Sequence, residues 1–377
     1  MKDRILKEFK SRFVTEPQLY ASAGRINLIG EHTDYNGGFV FPGAIDKVIM
    51  AAIAPNETEK VKVYSIDMDE EVEFGLNEED APTSSWARYI FGVCREILKR
   101  GGAVKGFDAV FAGNIPLGAG LSSSAALESC FAFALNDLFN DNTIDKFELA
   151  KIGQATEHNY CGVNCGIMDQ FASVMGQKGK LIRLDCRTME FEYFPFAPID
   201  YELILVDSKV KHELADSPYN KRRASCERVA KRLGLETLRD ATIPMLKAIR
   251  PDITAEDYFR AKFVIEEKER VLAVCDALYN GDYEKVGEEM YATHSGLSED
   301  YEVSCEELDF LTQLARECGV TGSRIMGGGF GGCTINLIKT DKKDFFIERV
   351  TQEFKEKYGH EPGIYPVVIS DGARKII

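Results

Sequence analysis

Three stretches of the sequence gather residue types that do chemistry, and the first is Pro116–Glu128, reading Pro-Leu-Gly-Ala-Gly-Leu-Ser-Ser-Ser-Ala-Ala-Leu-Glu. Gly118 and Gly120 let backbone N–H groups turn toward a ligand with no Cβ in the way. Ala125, Ala126 and Leu127 then begin a helix whose apolar run continues through Phe131, Phe133 and Leu135. A glycine-rich loop feeding a helix N-terminus attracts anions, because unpaired N–H groups and the positive end of the dipole meet there. Ser122, Ser123 and Ser124 add hydroxyls for phosphate oxygens or a hydrated cation. No Gly-Lys-Ser/Thr follows the glycines, so this is not the Lys-bearing P-loop. The plain alternative is a turn with a serine N-cap.

The second stretch, Gly24–Gly38, sets Arg25, Glu31, His32 and Asp34 close together between apolar flanks. Neighbouring carboxylates accept hydrogen bonds from paired hydroxyls, so the stretch suits a neutral polyol such as a sugar and disfavours analogues lacking a hydroxyl. A loop of solvated charges is its alternative, and Glu-His-x-Asp is no metal-ligand spacing. Further on, Asp169 lies among small and apolar residues in Cys165-Gly166-Ile167-Met168-Asp169-Gln170. It reads either as a base in a dry pocket or as a carboxylate capping a helix at Gln170. The third stretch, Gly322–Thr334, centres on Gly327-Gly328-Gly329-Phe330-Gly331-Gly332. A dinucleotide fingerprint follows a strand and opens a helix, whereas these glycines are expected to follow a helix and precede a strand. A tight backbone approach to another loop is the better account.

The elements that must position these residues are mixed. Ile5, Leu6, Phe9 and Phe13 predict a helix over residues 4–13. Strands are expected at Leu19–Ala23, Phe39–Phe41, Val48–Ala54, Val61–Ile66, Glu71–Phe74 and Phe107–Ala112, and again at Lys180–Leu184, Phe191–Tyr193, Glu202–Val206, Cys333–Ile338 and Tyr365–Ile369. Helices are expected at Trp86–Lys99, from Ser123 to near Asn140, and at Lys146–Asn159, Lys221–Leu233, Glu266–Ala277, Val303–Cys318 and Lys342–Tyr358. Such intermixing predicts an α+β class. At 377 residues the chain exceeds what one core usually serves, and two lobes are expected, residues 1–195 and 196–377. A net charge of −15 argues against nucleic acid or an anionic membrane as partner. Ten cysteines without a framework read as reduced thiols, which fits the cytoplasm. Met1–Lys10 has no apolar core of signal-peptide length, and no run is long enough to span a bilayer.

Taken together, the three stretches resemble the motifs of the GHMP kinases, the superfamily of galactokinase, homoserine, mevalonate and phosphomevalonate kinases. Pro116–Glu128 resembles the second motif and Gly322–Thr334 the third, while Gly24–Gly38 is similar to the galactokinase signature. Tyr358-Gly359 and Asp371-Gly372-Ala373-Arg374 are similar to the family's closing segment. The resemblance implies a two-lobed GHMP kinase fold of mixed sheets and packed helices with the active site between the lobes. It also implies phosphorylation of D-galactose at the C1 hydroxyl by ATP with Mg²⁺, giving galactose 1-phosphate and ADP.

The resemblance further implies roles for individual residues. Asp169 matches the catalytic aspartate beside the C1 hydroxyl, and Arg25 the arginine that polarises that hydroxyl or steadies the phosphoryl group. Glu31, His32, Asp34, Gly166, Asp169 and Tyr219 match sugar contacts. Gly118, Ala119, Gly120, Leu121, Ser122, Ser123 and Ser124 match the loop that wraps the phosphates, and Ser124 and Glu157 the Mg²⁺ ligands. Trp86 stands where relatives have a tryptophan in the adenine pocket. Lys211 stands where some relatives have Arg, which keeps the charge and loses the planar fork. Pro218 precedes Tyr219 where relatives often have Glu. The expectation is a cytoplasmic monomer acting on galactose and ATP, with no nucleic-acid or membrane partner. Rival readings are a kinase for N-acetylgalactosamine, arabinose or galacturonate, a sensor that binds sugar and ATP without turnover, and a nicotinamide dehydrogenase resting on Gly327–Gly332 alone.

Overall fold

A computed structural model describes residues 1–116, 118–210 and 218–376, with Pro218 and Tyr219 by backbone alone. The chain opens with α1 (Lys2–Arg12), then β1 (Gln18–Asn27), β2 (Phe39–Val40), β3 (Pro42–Pro55), β4 (Lys60–Ser65) and β5 (Glu70–Gly75). Next come α2 (Ser85–Lys99), β6 (Phe107–Gly113), α3 (Ser123–Phe139), α4 (Lys146–Thr156), α5 (Met168–Met175), β7 (Lys180–Asp185), β8 (Phe191–Pro195) and β9 (Tyr201–Asp207). The rest is α6 (Pro218–Leu233), α7 (Ile243–Ala248), α8 (Ala255–Tyr279), α9 (Tyr283–Ser295), α10 (Glu306–Glu317), β10 (Gly322–Ile325), β11 (Cys333–Lys339), α11 (Lys343–Tyr358), β12 (Gly363–Val367) and β13 (Arg374–Ile376).

Three sheets result, ordered β13-β1-β3-β6-β4-β5, β10-β11-β9-β12 and β2-β7-β8. Both large sheets are covered on two faces, which is why their central strands read as near-continuous apolar runs. On the first, Ile5 and Phe9 of α1 pack over Ala52, Ala54, Val110 and Ala112. The other face carries α3 and α5, with α2 and α4 beyond them. On the second, alternate residues of β9 part company as strand geometry requires. Leu203 and Leu205 join the core that holds Val274 and Val286, whereas Ile204 and Val206 meet Leu311, Val350 and Phe354. The α+β, two-lobed expectation therefore holds, and β13 returns from the far end of the chain to pair with β1. No described helix is long and apolar enough to cross a membrane.

Three differences from the sequence reading bear on the site. First, β1 does not stop at Ala23 but runs on to Asn27, with its register shifted between Ala23 and Arg25. A Cβ at Gly24 would lie 2.7 Å from the Leu121 carbonyl, so glycine here lets the loop before α3 press on the strand. The bulge re-aims Arg25 toward that loop. Second, Gly327–Gly332 joins two antiparallel strands, β10 and β11, instead of following a helix. Four residues are too few to show a strand's alternation in sequence. Third, α10 starts at Glu306, leaving the Val303 carbonyl free to accept from Phe330 N at 2.7 Å. Helices α7 and α9 were not anticipated.

Candidate active site

Arg25 gathers the site. Its side chain is buried, and its Nε and Nη2 donate to Oδ1 and Oδ2 of Asp169 at 2.7 and 2.8 Å. Its Nη1 donates to the Gly120 carbonyl at 2.6 Å and its backbone N–H to the Leu121 carbonyl at 3.1 Å. The Ser122 hydroxyl donates to Asp169 Oδ2. One guanidinium thus fixes β1, the glycine loop and the first turn of α5 in a planar, two-pronged geometry that a lysine could not reproduce. The N-cap of α5 is Ile167, so the capping alternative for Asp169 falls. The Asp169 side chain keeps 31% of its surface, enough to meet a ligand.

The loop before α3 is built for an anion. Gly118 and Gly120 have φ of 78° and 72°, and Ser122 shares the left-handed region at 56°, which a residue with a Cβ adopts at a cost. Because the Ser122 hydroxyl is directed to Asp169, no side chain caps α3. Its first-turn N–H groups therefore await an acceptor, and the plain N-cap alternative fails. The Ser124 hydroxyl reaches Glu157 at the end of α4, where the chain widens into a π turn over Glu157–Cys161. Burial pushes the Glu157 carboxyl up to about 7 against the pull of Ser124, with Asp169 adding repulsion. A hard cation would relieve that. Among the described residues no three His, Cys, Asp or Glu side chains cluster for a metal. Mg²⁺ needs only one or two protein oxygens beside phosphates and water, so Ser124 and Glu157 fit it. Trp86 lies in the first turn of α2. Its Nε1 donates to Glu70 Oε2 at 2.6 Å and its ring meets Phe111 edge-on at 5.2 Å, on the strand that feeds the loop.

Glu31 and His32 are almost wholly buried, which removes the solvated-loop alternative. Glu31 Oε1 accepts from Arg324 Nη2 at 3.0 Å and from Gly327 N at 2.9 Å. The His32 ring has Nδ1 2.8 Å from the Tyr35 hydroxyl and Nε2 3.2 Å from the Gly328 carbonyl. Burial pushes its pKa down to about 3, so it is a neutral ring bracing the glycine hairpin. Asp34 packs on Gly166, where any Cβ would overlap its carboxylate. Surrounding protein, with Asp169 and Glu31 adding repulsion against the Tyr35 amide, pushes the Asp34 carboxyl up to about 6. Of the remaining expectations, the Tyr219 side chain, Lys211, Ser217 and Leu117 lie outside the described residues.

Residues 7–55 match the galactokinase galactose-binding signature, 88–177 the GHMP kinases N terminal domain and 275–356 the GHMP kinases C terminal. A galactokinase of Fusobacterium nucleatum subsp. nucleatum is 40% identical, with 100% of each chain covered. One of Clostridium acetobutylicum is 41% identical over 98% of each. The chain belongs to the galactokinase family. The crystal structure of Lactococcus lactis galactokinase complexed with galactose superposes with a TM-score of 0.93 at 35% identity, covering 98% of each chain. Methanococcus jannaschii mevalonate kinase shares the fold, with a TM-score of 0.69 at 18% identity over 95% of this chain and 99% of that one.

For a member of the galactokinase family, three charged residues at this site escaped the sequence reading. Arg324, fully buried in β10, holds Glu31. Glu128 in α3 accepts from Gln170 Nε2 at 3.1 Å, next to Asp169, and burial pushes its carboxyl well above the usual range. Glu267 in α8 accepts from Gly30 N at 2.8 Å. The helical pair did leave a signal. Glu128 falls in register with Ala125, Phe131 and Ala132, and Glu267 with Phe263, Val264 and Val271, all buried. A charge on an apolar stripe marks a group that has business inside.

Proposed function

We propose that Asp169 and Arg25 are the catalytic pair of an enzyme that transfers the γ-phosphoryl group of ATP to the C1 hydroxyl of D-galactose. The observation that carries this reading is the two-pronged Arg25–Asp169 bond, which ties the galactose-binding signature to α5 while the same guanidinium holds the Gly120 carbonyl of the loop before α3. Asp169 orients the C1 hydroxyl and takes its proton, while Arg25 offers positive charge to the transferring group. The N-terminus of α3, with Gly118–Ser124, receives the phosphates. Mg²⁺ held by Ser124 and Glu157 would supply charge neutralisation between phosphate oxygens. Glu31 and Asp34 accept from sugar hydroxyls, Gly166 gives the sugar room, His32 braces the pocket, Tyr219 adds a contact and Trp86 walls the adenine. Residues 1–195 carry all of these parts but Tyr219, which belongs to the second lobe, residues 196–377. Ten free cysteines and a charge of −15 suit a cytoplasmic monomer.

ADP release from ATP and Mg²⁺, measured with one sugar at a time, tests the reading. Galactose should turn over, glucose hardly at all, and a chelator should stop the reaction. Turnover chiefly with N-acetylgalactosamine, galacturonate or arabinose would move the substrate, and tight binding without turnover would overturn the kinase.

Asp34 gives a pH signature. Its folded value of about 6 lies above the ordinary 3.8, so the folded chain holds this proton more tightly. Between those values the contribution of Asp34 to stability falls as pH rises. Galactose needs the ionised acceptor, so its KM should be level above about pH 7 and climb roughly tenfold per unit below about pH 5. Initial rates at saturating ATP check this, and a KM that stays level into acid would remove Asp34 from the sugar site.

A further inference from the structure

We infer that Glu267, fully buried behind the Gly30–Glu31 turn, is the positioning residue that holds the galactose-binding turn in shape. The inference rests on the reading that Glu31 binds the sugar.

Glu267 lies mid-way along α8 and has no accessible surface. An isolated carboxylate there would be costly, and this one is fully supplied with donors. Its Oε2 accepts from Arg270 Nε at 2.7 Å and from the Thr293 hydroxyl at 2.8 Å. Its Oε1 accepts from Gly30 N at 2.8 Å and Glu31 N at 3.4 Å. Two consecutive backbone N–H groups turned to one carboxylate form a small anion nest, and here the anion belongs to the protein. The turn is pressed onto the helix. Gly30 has a φ of 93°, and a Cβ on it would lie 2.6 Å from the Phe39 carbonyl and 3.0 Å from Val271 Cγ2 of α8.

For stability alone an apolar pair replacing both Glu267 and Arg270 would serve about as well as this buried ion pair. It could not hold two N–H groups in line. Glu31 is therefore fixed twice, by Glu267 through its backbone and by Arg324 and Gly327 through its carboxylate. Its oxygens are aimed before sugar arrives, which spares the complex the cost of ordering the turn. ATP meets the other loop. Loss of Glu267 should thus weaken galactose and leave nucleotide alone.

The test is steady-state kinetics of the full chain carrying Glu267→Gln, which keeps the shape and removes the charge. Galactose KM should rise about tenfold, the loss of a charge-assisted bond, with kcat and ATP KM within about twofold. Thr293→Val keeps the carboxylate and one fewer donor, should raise galactose KM about two- to threefold, and decides the matter if the first variant does not fold. Val350→Ala, in the separate cluster under α11, is the control for general destabilisation. It should lower the melting temperature and leave galactose KM unmoved. An active wild type with unmoved galactose KM in the folded Glu267 and Thr293 variants, or a KM rise in Val350→Ala to match, overturns this inference alone. A wild type inert toward galactose overturns the functional reading and this inference with it.

Discussion

Asp169→Asn should lower kcat on the order of 10³-fold while changing ATP affinity little. The substitution keeps the shape and removes the charge, and three partners depend on that charge. Arg25 loses its two-pronged acceptor and the Ser122 hydroxyl its partner, and in the proposed reaction the C1 hydroxyl loses the group that orients it and takes its proton. The phosphate loop keeps its two glycines and the uncapped end of α3, so nucleotide still binds. Single-turnover rates with saturating ATP and galactose separate chemistry from product release, and calorimetry reports ATP binding. A kcat near that of the wild type would take Asp169 out of its role.

The two proposed ligand sites share one brace. The hairpin of β10 and β11 gives Gly327 N to Glu31 and the Gly328 carbonyl to His32 on the sugar side. On the nucleotide side a Cβ at Gly120 would come within 3.8 Å of the Met326 carbonyl, and one at Gly332 within 4.0 Å of the Ala119 carbonyl. Backbone packs on backbone here. A Cβ at either distance makes ordinary contact, so these two positions call for glycine through their backbone, with φ of 72° at Gly120 and 81° at Gly332.

What the sequence showed and what it hid divide along the same line. The glycine loop and helix start before α3 are legible because their signals are local, with glycines, serines and strong helix formers within a dozen residues. The mixed α+β class followed from periodicity, and most helix and strand limits fell within a few residues of those observed. The function came from resemblance, since Arg25 and Asp169 are far apart in sequence and nothing local pairs them. The strand expected at Leu19–Ala23 stops short of Arg25 because a bulge at Gly24 breaks the alternation of β1. β10 is four residues long and β13 three, too short for any period to register. Glu267 and Arg324 were missed for a different reason. Their partners are backbone groups some three hundred residues or more than two hundred residues away, which leave no trace in residue type.

Arg324→Met should cost about 3–5 kcal/mol of stability, the loss of a cation from a buried pair. Arg324 has no accessible surface. It donates to the Leu28 carbonyl at 2.8 Å, to the carbonyls of Asn27 and Ile325, and to Glu31 Oε1 at 3.0 Å. Methionine fills much the same length and satisfies none of these, so Glu31 is left as an unpaired carboxylate away from water. Galactose binding should fail with it, because of the two donors to the Glu31 carboxylate only Gly327 N is left. Adding Glu31→Gln separates the two effects. The double variant removes the stranded charge and should regain part of the lost stability, while galactose still fails to bind because its acceptor has gone. Denaturant midpoints and galactose titrations of the three variants read this directly. If Arg324→Met unfolds at the wild-type midpoint, the turn is held by Glu267 and the hairpin backbone, and Arg324 is merely packed among them.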